Sequence, residues 1–312
     1  MPLSHQQTIL KIIDDLTHET LQGKVRALRI AMICLLAGGH LLLEDIPGLG
    51  KTSLALALSK ILGLSFGRVQ CTSDLLPSDI TGLSIFDREK NSFRFIEGPV
   101  FSNLVLLDEV NRAMPKTQSA MLEAMEERRV TVEGKTYNLP EPFMVIATQN
   151  PVEQIGTFPL PESQLDRFLA ASDIGYPPAE LEQQIIRQGS VRHQLDRIPA
   201  VLGRTQILEA RFAVARITLS QPVAGYIQAL LEASRQHPMV LSGISTRGGI
   251  NLADAARAEA YLNRREYVIP EDVQTVALPV CAHRLILKAE YENQEKKEIV
   301  RSLLQTLPVP LV

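Results

Sequence analysis

The chain has 312 residues, 45% hydrophobic and 21% charged, a globular balance in a chain long enough to bury a core without disulfides or metals. Its 32 Lys and Arg against 35 Asp and Glu leave a net charge of −3, which excludes a globally basic nucleic-acid binder, and 5% aromatic content without Trp leaves little for a base-stacking platform. Cys34, Cys71 and Cys281 are odd in number, far apart and without C-x-x-C spacing, which speaks against a disulfide framework or zinc site and for a reducing compartment.

At roughly 150 residues per domain the length suggests about two domains. The N-terminus lacks the basic, apolar and small-residue succession of a secretory signal. The longest apolar run near it, 30–39, is shorter than the ~20 residues of a membrane span. The expectation is a cytoplasmic protein without membrane insertion. Val25, Leu28, Met32, Leu35 and Leu36 repeat at helical spacing and predict a helix over 24–37, ended by Gly38-Gly39. His40-Leu41-Leu42-Leu43 reads as a buried strand leading into Glu44-Asp45-Ile46-Pro47-Gly48-Leu49-Gly50-Lys51-Thr52, and 53–62 reads as helix.

Strand, glycine loop and helix is the order that phosphate cradles use. Glycines let backbone amides turn onto phosphate oxygens, and the helix that opens at Gly50 adds the positive end of its dipole. Lys51 would neutralise the β- and γ-phosphates, and the Thr52 hydroxyl would ligate Mg²⁺. The pattern G-x-x-x-x-G-K-[ST] is met except at its first glycine, where Asp45 stands. A glycine-rich turn before an ordinary helix is the other reading.

Apolar runs at 66–70, 104–107 and 143–148, separated by helical stretches, predict an α/β fold with a parallel sheet covered on both faces. Hairpins are predicted near 84–96, around polar Arg88-Glu89-Lys90-Asn91, and near 129–139, around Glu133-Gly134. Pro115 starts a helix to about residue 128. The run at 104–107 sets Asp108 at the C-terminal end of a buried strand, where open α/β sheets bind ligands and a carboxylate can hold Mg²⁺; Glu109 next to it could polarise a water. An acidic start to the following helix is the competing reading.

The strand at 145–148 ends in Gln149 and Asn150, and Asn150 could hold the attacking water, the γ-phosphate, or only the turn before Pro151. Arg167 follows Asp166 in Leu160-Pro161-Glu162-Ser163-Gln164-Leu165-Asp166-Arg167-Phe168; in isolation it reads as a surface arginine. Strand signals stop at Gly175-Tyr176-Pro177-Pro178. From there the pattern is helical, over 180–189, 220–235, 246–263, 270–287 and 293–306, with Ser220 and Ser245 at N-cap positions. Arg247 lies in a first helical turn, where positive charge is unfavourable, so an anionic partner is expected. His40, His193, His237 and His283 have no metal-ligand spacing.

In this order the residues resemble AAA+ ATPases, and among them the MoxR family. The resemblance is carried by Gly39-His40-Leu41-Leu42-Leu43-Glu44-Asp45, Asp108-Glu109-Val110-Asn111-Arg112-Ala113, Met125-Glu126-Glu127-Arg128-Arg129-Val130-Thr131-Val132, Ala147-Thr148-Gln149-Asn150-Pro151 and the stretch 160–168. It covers nearly the whole chain. It implies a P-loop AAA+ core with a parallel sheet over 1–175, carrying the two hairpins as inserts, and an all-helical lid over 176–312.

Pro47, Gly48, Leu49, Gly50, Lys51, Thr52 and Ser53 would then hold ATP together with Asp108. Thr52 and Asp108 would hold Mg²⁺, and Glu109 would be the catalytic base. Asn150 matches sensor 1, Arg167 the arginine finger and Arg247 the sensor 2 arginine. Leu21-Gln22-Gly23-Lys24 departs from the usual Val-x-Gly-Gln, which leaves adenine contact at Gln22 and Gly23 to the backbone. Arg167 is expected at the edge of its core, facing a neighbour. Arg247 is expected to reach the nucleotide when the lid folds over the core.

Such proteins act as homo-oligomeric, hexameric-ring chaperones that mature or assemble other proteins, often metalloenzymes, commonly beside a von Willebrand factor A-domain partner. Nucleic acid is disfavoured as a partner. The alternatives are a nucleic-acid motor touching phosphates through Lys135 and Arg88 or Lys90, and an ATP-binding subunit of a chelatase-type complex.

Overall fold

The computed structural model describes residues 5–16, 23–46, 48–151, 156–188, 195 and 198–311. Gln22, Pro47 and His193 lie outside the described residues. In chain order the first part comprises α1 (His5–Asp15), α2 (Val25–Ala37), β1 (Leu41–Glu44), α3 (Lys51–Ile61), β2 (Phe66–Gln70) and α4 (Pro77–Thr81). The hairpin β3 (Gly82–Asp87) and β4 (Ser92–Glu97) follows, then β5 (Leu104–Asp108), α5 (Pro115–Glu127), and the hairpin β6 (Arg129–Val132) and β7 (Lys135–Asn138). After β8 (Met144–Gln149), α6 (Glu162–Leu165) and β9 (Ala170–Ser172) come α7 (Ala179–Gln188), α8 (Arg204–Ala215), α9 (Gln221–Gln236), β10 (Val240–Ser242), α10 (Thr246–Leu262), α11 (Pro270–Cys281), β11 (Ile286–Leu287) and α12 (Lys296–Thr306).

One parallel sheet runs in the order β2-β5-β8-β1-β9. Side chains alternate across it, as strand geometry requires. Leu41, Leu43, Leu104, Leu106, Met144 and Ile146 face a cluster with α2, α3 and the helices beyond residue 204. Leu42, Val105, Leu107, Val145 and Ala147 face a second cluster with α5 and Phe168. Burial on both faces explains why these strands read as unbroken apolar runs.

The fifth strand, β9, is absent from the sequence expectations because Ala170-Ala171-Ser172 is short and of low β-propensity. It is held in place by pairing with β1, Leu41 opposite Ala170. In the helical part, the helix expected over 270–287 stops at Cys281, two residues after Pro279, which lacks an amide donor. The chain then forms β11, antiparallel to β10, so a short ribbon accompanies the helices. Helices α1 and α8 also go beyond the sequence expectations. Among the described residues no helix is long and apolar enough to cross a membrane.

The two hairpins lean on each other, with Phe95 stacked on Tyr137 at 4.2 Å between ring centroids. At the far end of the first hairpin Phe86 and Phe93 meet edge-on and are exposed.

Candidate functional site

The loop between β1 and α3 turns at Gly48 (φ +91°) and Gly50 (φ +84°), a left-handed backbone that favours glycine. It delivers Lys51, Thr52 and Ser53 as the first turn of α3. The Lys51 ammonium donates to the Asp45 carbonyl at 2.5 Å. Burial lowers the Lys51 pKa, and the Asp45, Asp108 and Glu109 carboxylates oppose that shift. Asp45 caps the loop from the other side, accepting from the amides of Ile174 and Gly175. Its carboxylate therefore has a structural use where the phosphate-loop pattern has glycine.

Two strands away, β5 ends at Asp108, which is buried and opposite Gln70 of β2. Arg68 Nε donates to Asp108 Oδ2 at 2.8 Å. Glu109 takes φ +57°, uncommon for a residue with a side chain. The buried Thr148 hydroxyl holds this turn, accepting from the Glu109 amide at 2.8 Å. Strained backbone of this kind persists only where its surroundings enforce it. Glu109 Oε2 accepts from Gln70 Nε2 and Arg112 Nη1, each at 3.0 Å. Between them, at the end of β8, Asn150 accepts through its carbonyl from Asn111 Nδ2 at 3.5 Å. Lys51, Asp108, Glu109 and Asn150 thus share the C-terminal edge of the sheet, where open α/β folds bind ligands.

Arg167 and Arg247 lie at the other edge. Arg167 precedes β9, whose first residue pairs with the first residue of β1, whereas Lys51 follows the last residue of β1. The four residues of β1, at roughly 3.3 Å each, separate the two ends. The Glu126 carboxylate at the end of α5 bridges both arginines, at 3.3 Å from Arg167 and in direct contact with Arg247. The Arg247 hydrogen bond and the two positive charges lower the Glu126 pKa. Arg247 has the anionic partner its place in a first helical turn called for. Arg247 thus stands at the edge opposite the nucleotide loop of its own chain.

The physical reason is the anchorage of the helical part. Arg284 is buried, with Nε on Asp166 Oδ1 at 2.8 Å and its Nη2 on the Phe168 carbonyl at 2.6 Å. Ser245 genuinely caps α10, accepting from the Gly248 amide, and also reaches Asp166. Ser220 stands before α9, but its hydroxyl makes no hydrogen bond. Beside Glu126 and Arg167 opens a polar cavity of about 700 Å³, lined also by Glu123, Glu127 and Gln164.

Sequence reasoning missed Arg68, Gln70, Arg112, Thr148 and Glu126. The alternation of β2 was the available signal for Arg68 and Gln70, which share one strand face; the others needed the register of neighbouring strands. His40 is structural. Its Nε2 donates to the Met125 carbonyl at 3.1 Å, and its Nδ1 accepts from the Val145 amide at 3.0 Å.

The family profile described as ATPase family associated with various cellular activities (AAA) matches residues 40–170, and an AAA lid domain profile matches 232–303. The chain is 44% identical to the uncharacterized protein YeaC of Bacillus subtilis, over 93% of this chain and 91% of that one. It is 37% identical to Chaperone MoxR1 of Mycobacterium tuberculosis, over 93% and 79%, and 32% identical to Protein MoxR of Paracoccus denitrificans, over 92% of each. The crystal structure of a candidate ATPase from Cytophaga hutchinsonii superposes with a TM-score of 0.91 at 38% identity, over 98% of this chain and 96% of the other.

Proposed function

The chain belongs to the MoxR family of AAA+ ATPases, and from that premise we propose that it binds ATP with Mg²⁺, hydrolyses it, and spends the cycle on remodelling partner proteins as a chaperone-type motor in the cytoplasm. The observation that carries this reading is the gathering of Lys51, Asp108, Glu109 and Asn150 at one sheet edge. We take 1–175 as the motor core and 176–312 as the lid.

In this mechanism the amides of Gly48, Leu49 and Gly50 and the Lys51 ammonium neutralise the β- and γ-phosphates. The Thr52 hydroxyl and the Asp108 carboxylate are hard oxygen donors suited to Mg²⁺, which would screen phosphate charge when bound. Arg68 then has to share or release Asp108. Glu109 polarises the attacking water, while the Gln70 and Arg112 hydrogen bonds on Oε2 hold its carboxylate. That makes Gln70 and Arg112 the groups that restrain the base. Asn150 orients the water or the γ-phosphate.

Arg167 and Arg247, at the opposite edge and side by side on Glu126, complete the site of a neighbouring copy rather than their own. The assembly is a homo-oligomeric ring, which we take as hexameric, working with a von Willebrand factor A-domain protein on clients such as metalloenzymes. The exposed Phe86 and Phe93 on the first hairpin favour a protein surface over a phosphate backbone as the thing touched. The test compares ATP binding and hydrolysis in Lys51→Ala and Glu109→Gln. Lys51→Ala loses affinity; Glu109→Gln binds and does not turn over. Wild-type turnover by Glu109→Gln would refute the assignment of the base.

A further inference from the structure

Lys24, where the family usually has glutamine, has no role in the mechanism above, yet its side chain runs into the phosphate loop. Lys24 stands at the N-terminal end of α2 and makes no capping hydrogen bond there. Its Nζ donates to the Leu49 carbonyl at 2.5 Å. It lies so close to Gly50 that a Cβ at that position would meet the ammonium. The loop is therefore clamped between α2 and α3 by one side chain.

The electrostatics of this placement are unfavourable without a ligand. The N-terminus of α3 opens at Gly50, beside the Lys24 ammonium, and a cation there is repelled by the positive end of that helix. The Lys51 ammonium is a second positive charge at the same loop. Burial disfavours the charged form of Lys24, and the Asp45 carboxylate works against that shift. Asp45 is itself engaged by the amides of Ile174 and Gly175. A polyanion at the loop offsets this concentration of positive charge.

Resting on the nucleotide reading above, we propose that Lys24 is a second nucleotide-positioning cation: it fixes the phosphate loop through the Leu49 carbonyl and adds its charge to that of Lys51 in holding the phosphates of a nucleoside di- or triphosphate. The role is a feature of this chain's own departure from the family pattern.

The experiment is calorimetric titration of the full chain with ADP and with adenosine, over a series of salt concentrations. Lys24→Gln keeps a donor for Leu49 and removes the charge; Lys24→Met removes both and serves as a second neutral variant should the first fail to fold. Each is expected to bind ADP about 10-fold more weakly than wild type at low salt, the size of a lost charge-assisted contact. The gap should narrow as salt rises, because screening weakens the charge and leaves packing alone. Adenosine affinity should not change.

Lys24→Gln binding ADP like wild type at low salt, with Lys24→Met impaired, would reduce Lys24 to a brace and overturn the charge role. Neither variant differing from wild type while Lys51→Ala loses ADP would overturn the proposal and leave the nucleotide reading standing. A wild-type chain that binds no ADP would overturn both.

Discussion

His40 sets a pH dependence of stability that can be worked from its two hydrogen bonds. The ring is buried, and because Nδ1 accepts from Val145 while Nε2 donates to Met125, the fold uses the neutral imidazole. Burial pushes its pKa down from the ordinary 6.5 to about 4. Protonation would add a proton to Nδ1, opposite an amide that is itself a donor. In the unfolded chain the ring titrates near its ordinary value, so between that value and about 4 the unfolded state holds more protons than the folded one. This contribution to stability is present in full above about pH 6.5, declines as pH falls through the window, and is flat below the folded pKa. A gap of about 2.5 units at 1.36 kcal/mol each gives about 3 kcal/mol. Burial lowers the His283 pKa as well, so His283 adds a loss of the same sign.

The assay is urea unfolding from neutral pH down to about pH 4, wild type beside His40→Gln, which can still donate and accept but does not titrate. The wild-type curve should fall more steeply by about 3 kcal/mol across the window. Parallel curves would refute the reasoning. The consequence is functional as well, because the Met125 carbonyl that His40 holds is one residue from Glu126, the carboxylate bridging Arg167 and Arg247.

Arg167→Ala should bind ATP nearly as wild type and hydrolyse it poorly, an arginine supplied in trans being worth roughly 10³–10⁵ in rate; mixing it with Glu109→Gln should restore part of the ATPase activity, and a mixture no faster than its components would place the finger elsewhere. Gln70→Leu removes one of the two donors on Glu109 Oε2 and should shift ATPase kcat while leaving ADP affinity in place, as measured by steady-state kinetics and titration. Arg284→Met leaves Asp166 and the Phe168 carbonyl without their buried partner and should cost about 3–5 kcal/mol in urea unfolding.

The local elements carrying the candidate site were readable from the residues because each obeys a short-range rule. Four apolar residues ending in Asp108 made a buried strand with a carboxylate at its tip, and Gly48 and Gly50 before Lys51 marked a turn feeding a helix. Ser245 before Arg247 marked a helix start for the same reason: a cap depends on the three residues after it. The fifth strand obeyed no such rule. Ala170-Ala171-Ser172 is a strand because Leu41-Leu42-Leu43 lies open beside it.

The sequence by itself determined which residues carry charge, which runs are buried and where the elements carrying Lys51, Asp108 and Arg247 begin, since those follow from composition and spacing along the chain. Only the tertiary structure decided which of these charges meet. Strand register set Gln70 against Asp108 and brought its side chain to Glu109, and the antiparallel run of α5 carried Glu126 to the end of the sheet away from Lys51. The buried Arg284 then held the helical part at that same far end, so Arg167 and Arg247 share one carboxylate there. Pairings between residues tens of positions apart are chosen by how layers pack around a common core, and no local pattern encodes that choice.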